Sequence, residues 1–107
     1  GEGCNRNAVV APGGGDEPWL AALDGLLDDV GMFGADALVV SLGVDAAADD
    51  PESPLLITAA GYGAAGERLG ALGLPTVAVQ EGGYHLPTLG PLVLATLAGI
   101  ERGLATA

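Results

Sequence analysis

The chain predicts an α/β fold on a parallel sheet, and three observations carry that reading. Short runs of β-branched and apolar residues alternate with longer amphipathic segments. Two of the runs empty into polar, glycine-containing turns, "SLGVD" and "QEGGY". With 107 residues, half of them hydrophobic, there is material for one modest core and no more than one domain.

Each element follows in order. "NAVV" reads as a strand fragment that needs a partner. In "EPWLAALDGLLDDVGMF", Trp19, Leu20, Leu23, Leu26, Leu27, Val30 and Phe33 recur at three- and four-residue steps, the spacing of one helix face. Asp16 is placed to act as its N-cap, with Pro18 inside the first turn. "ADALVVSLGVD" is a continuous apolar run, the pattern of a strand covered on both faces. "LLITAAGYGAAGERLGALG" predicts a second helix closing on Gly73. "LPTVAVQ" predicts the next strand. "LPTLGPLVLATLAGIERGL" predicts a third helix, with Pro87 near its start and Pro91 limiting how early regular hydrogen bonding begins. Right-handed crossovers then put Val39 and Val77 on nearby parallel strands. The chain shows no repeat, linker or low-complexity tail, and it reads as one α/β unit within a larger one.

Charge excludes one class of partner. Fourteen carboxylates face three arginines and no lysine, a net charge of −11. Phosphate backbones need clustered basic residues, so nucleic acid is not an expected partner. An acidic surface suits a cationic ligand, but it suits plain solubility as well, and solubility is the weightier reading. The single cysteine, Cys4, excludes an internal disulfide and a cysteine zinc cluster. No apolar run is long enough to span a membrane, no leader pattern opens the chain, and the expected compartment is the cytoplasm.

The chemistry is expected at the strand ends. Ligands of open parallel sheets bind beyond the carboxyl ends of the strands. "SLGVD" and "QEGGY" therefore bring Asp45 and Tyr84 to one edge. A carboxylate there can ligate a cation, and a phenol can donate to a developing negative charge. Plainer roles compete: Asp45 as a turn former, and Tyr84 as a packing residue after a glycine pair that tolerates an unusual backbone. Asp49 and Asp50 lack the spacing of a calcium loop and read as solvated acids capping the next helix. "APGGGD" is neither a Gly-Lys-Ser/Thr loop nor a dinucleotide fingerprint, though a nucleotide-binding doubly wound domain using it stays open. His85, the only histidine, reads as a surface or capping residue. A non-catalytic α/β module is the other alternative.

"NRNAVVAPGGGD", "ALVVSLGVDAAADDP" and "LPTVAVQEGGYHLPTLG", in that order and spacing, resemble the C-terminal part of the histone deacetylase superfamily. The resemblance is nearest to its bacterial deacetylases and acetylpolyamine amidohydrolases, and it runs from about Asn5 onward. It implies a three-layer parallel sheet with flanking helices, of the arginase/deacetylase type and here a partial domain. It also implies zinc-dependent hydrolysis of an N-acetyl amide, on acetyl-lysine or an acetylpolyamine. By the same resemblance Asp45 is one zinc ligand, Tyr84 the transition-state donor, and Gly82 and Gly83 the substrate-pocket wall that keeps bulk from the acetamide. The family's Asp-x-His and tandem histidines do not occur in these residues. The missing partner is thus the N-terminal part of the same domain, and the 107 residues alone are expected to be inactive.

Overall fold

The computed structural model describes residues 2–107. Its elements run α1 (Asp16–Phe33), β1 (Leu38–Leu42), α2 (Ala59–Gly70), β2 (Thr76–Gln80) and α3 (Leu86–Thr106). The strands pair in parallel with α2 as the crossover, and Val39 stands directly opposite Val77. The α/β reading and the strand pairing hold.

The core lies on one face of this two-stranded sheet. Leu42, Val44, Ala47, Ile57, Tyr62 and Leu92 form its buried centre. Trp19 of α1, Val40 and Ala78 of the strands, and Leu89 and Val93 of α3 pack against it. Alternation along a strand sends the intervening residues to the opposite face. There Val39 is 70% and Val77 60% exposed, with Val79 and Ser41 beside them. Burial on both sheet faces, expected from the apolar runs, is therefore not met among the described residues. These residues supply one helical layer and leave the outer valine face open.

Several local expectations change for physical reasons. Residues 5–11, which contain "NAVV", form no strand, and Val9 is 92% exposed. So short a segment gains strand geometry only by pairing, and it lies instead beside α1, where Arg6 Nε meets Asp29 at 3.1 Å. Asp16 is not the N-cap of α1. Gly15 takes that position without a side-chain cap, while the Asp16 carboxylate accepts from the Thr58 amide at 2.9 Å and from its hydroxyl. Thr58 in turn caps α2 by accepting from the Gly61 amide, so the second helix is capped by neither Asp49 nor Asp50. Helix α2 ends at Gly70, before Gly73, which adopts φ +70° in the following turn. Helix α3 starts at Leu86 and runs through Pro91; the ring removes one ladder donor without ending the helix.

The closest packing joins α2 to α3. A Cβ built on Gly66 would land on the Thr96 carbonyl, one on Gly70 on the Ile100 carbonyl, and one on Gly99 on the Gly63 carbonyl. The two backbones touch where glycine permits it. Gly99→Ala should cost about 1–3 kcal/mol by overpacking. Gly25→Ala, in α1 with nothing within 4 Å, should instead gain about 0.5–1 kcal/mol. Urea melts of the two variants test the contrast, and equal shifts would refute close packing as the cause.

Candidate functional site

The polypeptide leaves both strands at the same edge, and the exits stay hydrogen-bonded to each other. The Glu81 amide donates to the Leu42 carbonyl at 2.7 Å, and the Val44 amide to the Gly82 carbonyl at 2.8 Å. Parallel pairing thus continues past β1 and β2 into the two turns. It places Asp45 in the first turn and Tyr84 in the second.

Gly82 explains why the second turn lacks bulk. A Cβ there would fall 2.7 Å from Asp45 Cγ and 2.8 Å from both carboxylate oxygens. The half-buried Asp45 carboxylate occupies the space a side chain would need. Gly83 has φ +146°, a backbone region that side chains disfavour, and its Cβ would meet Leu89 and Val44. The pair therefore fits the turn closely against Asp45 and the core. Immediately beyond it, the Tyr84 side chain is 57% exposed.

Two further residues shape this edge. Asp50 is 6% exposed; its Oδ2 accepts from the Tyr84 amide at 2.6 Å and its Oδ1 from the Glu52 amide at 2.9 Å. That corrects the expectation of a solvated, helix-capping acid; of the two, only the neighbouring Asp49 is exposed, and neither caps α2. Tyr62 lies beneath, edge-on to Trp19 with ring centroids 5.2 Å apart, and its buried hydroxyl lacks a well-formed hydrogen bond. Burial pushes this phenol up to about 12; the backbone of Ala46 acts the other way, and the Asp45 and Asp50 carboxylates add to the rise. It stays protonated at neutral pH, a dry floor beneath the acidic turn.

The remaining sequence candidates fall elsewhere. His85 is the N-cap residue of α3 by backbone, and its Nδ1 lies 3.0 Å from Thr88 Oγ1. In "APGGGD" the Gly13 amide donates to the Pro54 carbonyl at 2.7 Å and the Gly14 amide to the Ala11 carbonyl at 3.0 Å. With these donors engaged and the Asp16 carboxylate in the first turn of α1, the segment is poorly arranged for a phosphate. Among the described residues no three His, Cys, Asp or Glu side chains gather to hold a metal. Asp45 is positioned to be one oxygen ligand, which is less than a site.

The parallel sheet edge thus carries a carboxylate in one turn and a phenol in the next. The sequence matches the histone deacetylase domain over residues 1–100, and the chain belongs to the histone deacetylase family. It is 43% identical over 101 residues to acetylpolyamine amidohydrolase 1 of Pseudomonas aeruginosa, covering 94% of this chain and 29% of that protein. It is 44% identical over 89 residues to the acetylpolyamine amidohydrolase of Burkholderia pseudomallei, covering 83% of this chain and 26% of that protein. The crystal structure of acetylpolyamine aminohydrolase from Burkholderia pseudomallei superposes with a TM-score of 0.90 at 39% identity. That superposition covers 94% of this chain and 30% of the crystal chain. The fold is thus of the arginase/deacetylase type, and the chain spans less than a third of the length of these relatives.

Proposed function

We propose that these residues form the C-terminal part of a zinc-dependent deacetylase acting on an N-acetylated amine, an acetylpolyamine or acetyl-lysine. The observation that carries the reading is the hydrogen-bonded pair of turns holding Asp45 against Gly82, with Tyr84 two residues on. The names and similarity of the relatives support the substrate class. No helix of the described residues is long and apolar enough to cross a membrane, and we place the protein in the cytoplasm.

Zinc, when bound, would polarise the acetamide carbonyl and activate water. Asp45 would be one of its ligands, completed by residues outside this chain. The roles assigned to this chain's own residues are limited. Water oxygen bonds to the carbonyl carbon, the C–N bond breaks, and acetate and free amine leave. Tyr84 donates a hydrogen bond to the oxygen on which negative charge develops. Gly82 and Gly83 line the pocket wall beside the acetyl group. The general base lies outside these residues.

A complete domain carrying this sequence is expected to release acetate from an N-acetylated diamine or an acetyl-lysine peptide. The 107 residues alone, with added zinc, are expected to release none. Absence of turnover by the complete, zinc-loaded domain on both substrates would overturn the assignment. Turnover by the isolated chain above a metal-free blank would overturn the incomplete-site reading.

A further inference from the structure

The Tyr84 side chain is more than half exposed, and its backbone follows a glycine at φ +146°. Neither feature fixes the direction in which its phenol points. What does fix the Gly83–Tyr84 peptide is a single bond, from the Tyr84 amide to Asp50 Oδ2 at 2.6 Å. The acceptor is itself held firmly. The Asp50 amide donates to the Ala47 carbonyl at 3.0 Å, its carbonyl accepts from Ser53 at 3.2 Å, and its Oδ1 takes the Glu52 amide. One carboxylate oxygen closes its own turn, and the other faces the second turn. A charged acceptor makes such a bond shorter and stronger than a neutral one, and the residue that supplies it here is buried.

We propose that Asp50 is the positioning residue for Tyr84, locking the peptide before it so that the phenol meets the developing oxyanion. This rests on the reading of Tyr84 as the transition-state donor. Asp50 touches neither substrate nor metal in this assignment and acts through the Tyr84 backbone. Asparagine at position 50 keeps the size but cannot accept from both the Glu52 and Tyr84 amides through its two terminal atoms, because one of them is itself a donor.

The test is a double-mutant cycle in a complete, zinc-loaded domain, with Asp49→Asn as the exposed control. Asp50→Asn should lower kcat about 10- to 100-fold, with KM and zinc content unchanged. In a Tyr84→Phe background the same change should cost almost nothing, because the hydroxyl being aimed is gone. Asp49→Asn should leave kcat as it is. An Asp50→Asn effect of equal size in both backgrounds overturns the positioning role alone. Unaltered kcat in Tyr84→Phe overturns the reading of Tyr84 itself, so the two failures are distinct. Should Asp50→Asn fail to fold, the unmodified protein decides: the Tyr84 amide must exchange with solvent deuterium slowly. Exchange at the rate of an unprotected amide overturns the proposal.

Discussion

Tyr84→Phe in a complete domain is expected to lower kcat about 100- to 1000-fold, equivalent to roughly 2.7–4 kcal/mol of lost transition-state stabilisation. The substitution removes one oxygen and leaves the ring. Tyr84 is exposed, so the helix that follows should pack as before and zinc content should not change. A donor aimed at charge that exists only in the transition state acts on kcat far more than on substrate affinity. A packing role predicts the reverse, nearly full turnover with a stability change of about 1 kcal/mol at most. Measuring kcat, zinc content and melting temperature on one preparation separates the two. A zinc-replete Phe variant that keeps most of its kcat would reduce Tyr84 to a surface aromatic.

The second large effect belongs to Asp45. Asp45→Ala should deplete zinc from a complete domain and abolish turnover with it, while Asp49→Ala should retain about one equivalent. Changes to groups that merely support metal ligands cost about 10- to 100-fold in affinity, so loss of a ligand should exceed that. The contrast is demanding because both acids lie in one short loop. Only Asp45 is held against Gly82, whereas Asp49 is exposed. Metal analysis after dialysis against a weak chelator decides it, and equal retention in the two variants would refute the assignment.

Much of the fold and part of the candidate site are legible in the amino-acid sequence, for identifiable reasons. The alternation of runs marks α1, β1, α2, β2 and α3, because apolar periodicity reports the face each element must bury. Parallel pairing follows from the connections, and Val39 does oppose Val77. Asp45 and Tyr84 stand out because they closely follow strands whose direction the connections set. Asp50 escapes such a reading because its burial depends on an amide 34 positions later, which no local pattern records. Asp16 misleads for the same reason: its carboxylate is taken by Thr58, 42 positions away. "NAVV" has strand-like composition, and among the described residues no strand pairs with it. Composition expresses a preference, and pairing decides it.

The touching backbones of α2 and α3 bear on how firmly the tyrosine is mounted. Glycine at such a contact has no rotamers to freeze, so joining these helices costs little side-chain entropy. Close carbonyl and Cα–H approaches can replace the missing side-chain contacts. Small-amplitude sliding is hindered, because each glycine faces a carbonyl that any shift would drive into its neighbours. Helix α3 begins two residues after Tyr84. The Tyr84 backbone is therefore joined, through His85, to one half of a close-packed helical pair, in addition to its amide bond to Asp50.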